Sequence, residues 1–355
     1  MKFIHCADLH LDSKIERLPT EKSKLVREET VYAFERLADF ASKNGVKAVI
    51  ISGDLFDSAK AYQKTCNRIL QAVTVNSDVD FIFVYGNHDL ENNFSEIVNL
   101  PENFKIVKGD WQKFSYENVD IYGISLSANN AEYFIDTLVT DKNKTNIVAF
   151  HTGYNQQDKQ IIVPLTSFKN KNIDYIALGH IHFYQEIKVD ERCTAFYSGC
   201  LSGRGFDETD DKGFVLLDVE NNKVNSQFVP FSTRNYYAVE YNVDGKDNFY
   251  ALREEIVEYL KANYSSKSLI KLILKGERKI DFEIDKESLS NRLNQEFFFG
   301  KVYDETRLKI SLDDFKDDKS VKGEFVRLVL DSKLDEETKQ KVINCGLTAL
   351  KGEII

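Results

Sequence analysis

Up to about residue 232 the chain repeats one pattern: a short apolar run that ends in a small cluster of ionisable residues. The runs are Lys2-Phe3-Ile4, Ala48-Val49-Ile50-Ile51, Phe81-Ile82-Phe83-Val84, Ile147-Val148-Ala149-Phe150 and Tyr175-Ile176-Ala177-Leu178. Each is short and rich in β-branched or aromatic residues, which predicts buried strands rather than helices. Between the first two runs, Val26, Phe34, Leu37, Phe40 and Ala41 recur at helical spacing, with Gly45 as the stop signal. A second helical stretch covers 62–75. Strand and helix in alternation predict an α/β layered domain over 1–232, which closes in strands and turns, among them 194–196, 214–219 and 224–229. Near Ser232 the pattern restarts, with a strand at 237–243, a helix at 249–263 and a strand at 269–274. A final helix begins at Asp335, a good N-cap, and carries Val342, Ile343, Leu347 and Leu350. A smaller α/β domain is therefore expected over 233–355.

Composition narrows the class. Hydrophobic residues make up 42% of the 355, enough for a sizeable core, and Gly and Pro number only 17 and 4, which argues against long disordered tracts. No apolar run approaches the roughly 18 residues of a membrane span, and the start lacks the pattern of a secretory signal. Five scattered cysteines without a C-x-x-C pair read as reduced thiols, and a cytoplasmic protein is expected. A net charge of −10 counts against indiscriminate nucleic-acid binding by a basic surface. It leaves nucleic acid open as a substrate, because bound divalent cations reverse the local sign in a cleft.

The ionisable clusters carry the candidate chemistry. In chain order the runs lead into Asp8-Leu9-His10, Gly53-Asp54, Gly86-Asn87-His88-Asp89, His151 and Gly179-His180-Ile181-His182. In layered α/β domains the carboxyl ends of the strands converge on one crevice, so residues remote in sequence meet there. Asp8, His10, Asp54, Asn87, His151, His180 and His182 offer three carboxylate or amide oxygens and four imidazoles, a donor set that suits Mn²⁺, Fe²⁺ or Zn²⁺ better than an all-oxygen cage. Seven ligands exceed what one such ion holds and suit two ions sharing a carboxylate, with Asp54 as the natural bridge. Two ions about 3.5–4 Å apart can orient a phosphodiester, activate water and neutralise developing charge. Five of the six histidines lie in these motifs; His5, inside the first strand, does not, and it is expected to be a hydrogen-bonded core residue.

With these motifs, D-x-H, G-D, G-N-H-D, H and G-H-x-H, the chain resembles the calcineurin-like metallophosphoesterases over residues 1–232. Phe3-Ile4-His5-Cys6-Ala7-Asp8-Leu9-His10-Leu11-Asp12-Ser13, Gly53-Asp54-Leu55-Phe56-Asp57, Tyr197-Ser198-Gly199-Cys200, Gly203-Arg204-Gly205-Phe206-Asp207-Glu208 and Lys212-Gly213-Phe214 make it similar, more narrowly, to the SbcD/YhaO group of DNA repair nucleases. The resemblance implies a four-layer αββα sandwich followed by a small capping domain that positions DNA. It implies two divalent ions, Mn²⁺ foremost. One would be held by Asp8, His10, Asp54 and His182, the other by Asp54, Asn87, His151 and His180. His88 would contact the scissile phosphate as transition-state stabiliser or proton donor. Asp89 would either orient His88 or cap a helix. The implied activity is cleavage of DNA in DNA repair, as an exonuclease and also as an endonuclease, with DNA, an SbcC- or YhaN-like ATPase and a second copy of the chain (through 62–75) as partners. The competing readings are a phosphatase or nucleotide phosphodiesterase acting on a small molecule, and a catalytically silent scaffold, which the full set of ligand positions disfavours.

Overall fold

The computed structural model describes residues 1–57, 61–89, 94, 99–153, 162–279, 282–309, 315 and 317–350. The chain divides into two compact units, Met1–Asn235 and Tyr236–Ile355.

In the first unit, β1 (Lys2–Cys6), β2 (Val46–Ser52), β3 (Asp80–Val84) and β4 (Phe104–Val107) run parallel. The hairpin of β11 (Gly213–Glu220) and β12 (Lys223–Pro230) joins β1 antiparallel and completes a six-stranded sheet ordered β12-β11-β1-β2-β3-β4. Its two-residue turn, Asn221 and Asn222, holds both φ angles positive (52° and 60°), a turn that matches the twist of the flanking strands. The second six-stranded sheet is ordered β5-β6-β7-β8-β10-β9, from β5 (Gln112–Tyr116), β6 (Val119–Gly123), β7 (Thr145–His151), β8 (Tyr175–Gly179), β9 (Gln185–Lys188) and β10 (Thr194–Tyr197).

The apolar runs are continuous rather than alternating because both faces of each strand are buried. Ala48 and Ile50 point inward with Phe3, Ile82 and Val84, and meet Val119, Ile121, Ile147, Ala149, Tyr175 and Ala177 of the other sheet. Their neighbours Val49 and Ile51 point outward and pack, with Ile4, Phe81 and Phe83, on Phe34, Leu37, Ala38 and Ala41 of α1 (Thr20–Lys43) and Ile69 and Val73 of α2 (Gln63–Val75). On the far side Val148, Phe150, Ile176 and Leu178 are covered by Phe134 and Phe168, which lie on the short helix Phe134–Thr137 and the turn Leu165–Phe168. Helix, sheet, sheet and helix thus stack in the four layers expected. β6 escapes detection in the sequence because Asp120 interrupts its apolar run. All five of its residues are nonetheless buried, and Lys144 Nζ meets the Asp120 carboxylate at 2.8 Å.

The second unit has three parallel strands, Tyr236–Asn242, Leu269–Lys275 and Phe299–Asp304. Helices Phe249–Asn263 and Lys286–Glu296 close a core of Val239, Leu252, Ile256, Leu260, Leu272, Leu289 and Leu293. Helices Val321–Leu330 and Glu336–Leu350 form a satellite cluster around Val326, Ile343 and Leu347. Asp335 caps the last helix, its Oδ1 accepting from Thr338 N–H at 2.9 Å. Among the described residues no helix is long and apolar enough to cross a membrane.

Candidate metal centre

The ends of β1, β2 and β3 in one sheet and of β7 and β8 in the other deliver their polar residues to one place. The backbone there is unusual. Asp8, His10, Asp54 and His180 have φ of 52°, 43°, 52° and 105°, a region that costs a non-glycine residue about 1–3 kcal/mol. Cross-links between the loops hold it: Asp8 N–H donates to Gly53 O (3.0 Å), His10 N–H to Asp54 O (2.9 Å), and His180 N–H to both Asp8 carboxylate oxygens (2.9 and 3.0 Å). Two glycines permit the approach. A Cβ on Gly179 would stand 1.9 Å from Ser52 O, and one on Gly86 2.2 Å from Asp54 Oδ1.

The side-chain atoms gather at ligand-like spacing. His10 Nε2 and His182 Nε2 are 3.2 Å apart, and His151 Nε2 and Asn87 Oδ1 are 3.0 Å apart. Asp54 Oδ2 stands between the two pairs, 3.5 Å from His10 Nε2 and 3.4 Å from His151 Nε2. Two atoms each bound about 2.1 Å from one octahedral or tetrahedral ion would lie about 3.0–3.4 Å from each other. The donors therefore fit a pair of ions that share one carboxylate oxygen. Asp8 groups with His10 and His182 on one side, and with Asp54 and His151 on the other, the ligand atoms of each set lying within 4.8 Å.

The far nitrogens of His151 and His182 are held by acceptors, which leaves their Nε2 atoms facing the centre as the nitrogens that would bind an ion. His151 Nδ1–H donates to Ser52 O (2.9 Å), and His182 Nδ1–H to Glu208 Oε1 (2.8 Å). His10 Nδ1 lies 3.2 Å from Asp57 Oδ1, although the approach is too oblique for a well-formed hydrogen bond. The buried carboxylates demand positive charge. Burial alone would lower the His151 pKa, but Asp54 and Asp8 outweigh it and push the imidazole up to about 9. Burial would likewise raise Asp54, yet the imidazoles of His151 and His10 hold it well below the usual carboxylate range.

Of the seven residues expected to bind metal, six converge in this way. His180 stands alongside, its ring centroid 5.4 Å from that of His151, but among the described residues it joins none of the three carboxylate–imidazole sets. His88 lies at the exposed mouth with its ring centroid 5.0 Å from that of His10. Asp89 neither orients the His88 ring nor needs to: its carboxylate accepts the amides of Gly86 (2.9 Å), Phe56 (3.3 Å) and Leu55 (3.4 Å), so it staples the third strand's turn to the second's. The His88 ring is oriented by the Asp57 carbonyl, which accepts from Nδ1–H at 2.9 Å. His5 is a core residue, bonded through Nδ1 to Tyr175 Oη (2.9 Å) and through Nε2 to Leu178 O (3.1 Å). The roles of Asp57 and Glu208 behind the ligand rings escape residue-by-residue reading; the one signal for them was their presence in the runs shared with the SbcD/YhaO group.

A family model described as Calcineurin-like phosphoesterase matches residues 1–184. Over 254 residues the chain is 28% identical to the uncharacterized metallophosphoesterase YhaO of Bacillus subtilis, a match covering 64% of this chain and 60% of that one. Over 329 residues it is 24% identical to the DNA double-strand break repair protein Mre11 of Saccharolobus solfataricus, covering 86% and 83% of the two. Among solved structures, a dimetal phosphatase from Danio rerio aligns with a TM-score of 0.45 at 12% identity, covering 65% of this chain and 99% of that one.

Proposed function

The chain belongs to the calcineurin-like phosphoesterase family, and from that premise we propose that it is a DNA nuclease, hydrolysing phosphodiester bonds with two divalent cations, Mn²⁺ foremost. The observation that carries the two-ion reading is the position of Asp54 Oδ2, 3.5 and 3.4 Å from imidazole nitrogens that belong to two different donor pairs. Asp8, His10, Asp54 and His182 would hold one ion; Asp54, Asn87, His151 and His180 would hold the other. When bound, the ions supply Lewis acidity and an activated water.

The protein's own groups do the rest. Asp54 Oδ1 accepts the His88 amide at 3.0 Å, which ties the turn bearing His88 to the bridging carboxylate. Because His88 Nδ1–H is committed to the Asp57 carbonyl, Nε2 is the nitrogen left for the substrate on this exposed residue. In the imidazolium form Nε2–H can be given to the leaving oxygen as the P–O bond breaks.

DNA is favoured as substrate because the similarity to the Mre11 protein covers 86% of the chain and so extends past Asn235 into the second unit. In this reading that unit positions DNA over the ions, an SbcC- or YhaN-like ATPase is the partner, and α2 offers a face for a second copy. The work is done in the cytoplasm. The test is to offer linear duplex DNA, single-stranded DNA, a cyclic nucleotide and an aryl phosphate to the Mn²⁺-loaded protein side by side. Cleavage of DNA at rates well above the small esters supports the reading; turnover of the aryl phosphate or cyclic nucleotide alone replaces it with a small-molecule phosphoesterase.

A further inference from the structure

We infer that Arg204 is a positioning residue of the metal centre, its guanidinium joining the two carboxylates, Asp57 and Glu208, that stand behind His10 and His182. This rests on the two-ion reading above and adds the device that would set the geometry of one of the two ions.

The geometry is a continuous chain. Arg204 Nη1 donates to Asp57 Oδ1 at 3.0 Å, and Nε donates to Glu208 Oε1 at 3.1 Å. Nη2 also donates to Glu208 Oε1, and the Arg204 amide donates to Glu208 Oε2 at 2.8 Å. The same Asp57 Oδ1 faces His10 Nδ1 (3.2 Å), and the same Glu208 Oε1 accepts from His182 Nδ1 (2.8 Å). One planar fork therefore fixes the separation of two carboxylate oxygens: the Glu208 oxygen sets the rotation of the His182 ring through a hydrogen bond, and the Asp57 oxygen sets the charge and the packing beside His10 Nδ1. The near nitrogens of these two rings are the pair found 3.2 Å apart.

Other contacts leave this task to the triad. The His182 carbonyl accepts from Lys212 Nζ (2.9 Å) and from Cys200 N–H (3.4 Å), which anchors the backbone but not the ring. The Arg204–Glu208 pair is also largely withdrawn from water, with side-chain exposure of 17% and 5%, while Asp57 is half-buried at 34%. A buried ion pair is weak grounds for stability, since desolvation offsets most of its attraction. A role in orienting ligands accounts for its place. Metal-binding histidines are commonly oriented by an outer carboxylate, and losing one costs ~10–100-fold in metal affinity.

The experiment uses the full chain stripped of metal, with Mn²⁺ binding followed by calorimetry and by electron paramagnetic resonance, and thermal unfolding of the metal-free protein measured alongside. Wild type is expected to bind two Mn²⁺. Arg204→Met and Glu208→Gln should each weaken one of the two ions ~10–100-fold while the other changes by less than about threefold. Arg204→Lys should restore only part of the affinity, because an ammonium cannot bridge both carboxylates as a fork does. The double variant Arg204→Met/Glu208→Gln should lose less than the product of the single losses, since both break the same link. Unchanged Mn²⁺ affinity with only a lower melting temperature, or equal weakening of both ions, overturns the inference. If Arg204→Met fails to fold, the isosteric Glu208→Gln decides by the same readout. If wild type binds a single ion, the two-ion reading fails; the inference then holds if that ion is weakened in the variants and falls if it is not.

Discussion

His88→Gln separates the binding of ions from the use of them. The His88 amide bond to Asp54 Oδ1 (3.0 Å) involves backbone and survives the substitution, so the Asp54 carboxylate keeps its support. The ring contributes to neither pair of atoms flanking Asp54 Oδ2. It does lie within 4.8 Å of ligand atoms from His10 and Asp57, so a rival arrangement in which His88 binds metal is geometrically available. On the reading above, two Mn²⁺ should be retained. What disappears is the Nε2 proton aimed at the scissile group, because glutamine has no transferable proton at that place. Loss of one such donor costs ~10²–10³ in turnover, about 3–4 kcal/mol. The loss should shrink to roughly tenfold or less with an aryl phosphodiester, whose leaving group needs no proton. Affinity for uncleaved duplex DNA in Ca²⁺ should move by less than about threefold, because it rests on backbone charge contacts elsewhere. The assays are metal content, DNA binding and single-turnover cleavage of both substrates. Loss of an ion, wild-type cleavage of DNA, or an equal loss on both substrates would refute the reasoning.

Asp54→Ala should abolish binding of both ions, since a shared oxygen is removed; metal analysis that finds one ion at full occupancy rules out the bridge. Removing residues 236–355 should leave Mn²⁺ binding and aryl phosphodiester cleavage largely intact while reducing duplex DNA cleavage, because every proposed ligand lies in Met1–Asn235; a folded fragment that binds no Mn²⁺ contradicts this. His5 should make the metal-free fold acid-sensitive: burial lowers its pKa to about 3, so between there and about 6.5 the unfolded chain takes up a proton that the folded one refuses. Stability is thus present in full above about pH 6.5 and falls as pH drops, by about 2 kcal/mol between pH 7 and pH 5. His5→Gln should remove that portion of the pH dependence in urea titrations, and an unchanged difference between the two pH values would show that the imidazole is not held neutral.

What could be read without a structure, and what could not, divides along a physical line. The central strands were legible because both their faces are buried, which leaves an uninterrupted apolar run, and the candidate metal-binding motifs were legible because each sits where such a run stops. β6 was not, since its Asp120 looks like a solvent residue until Lys144 is seen against it at 2.8 Å. Edge strands β4 and β5 were missed for a related reason: Lys105 and Lys113 break their patterns, and edges are where charged residues are tolerated. The same blindness governs the centre. Asp8, His10 and Asp54 announce themselves by spacing, whereas Asp57, Arg204 and Glu208 are ordinary charged residues one by one. Their meaning comes from a partner 147 positions away across the fold, where Arg204 reaches Asp57. Asp89 shows the converse. It stands next to His88 in sequence, which suggests it orients that ring, yet its carboxylate is occupied by the amides of Gly86, Phe56 and Leu55. Adjacency along the chain assigned a role that the Asp57 carbonyl performs. Donor types are therefore readable from local sequence, but the groups that aim those donors depend on which loops the sandwich brings together. In this protein the aiming groups converge on the loop after β2 and the loop between β10 and β11, and a search for altered metal affinity should begin there rather than among the ligands themselves.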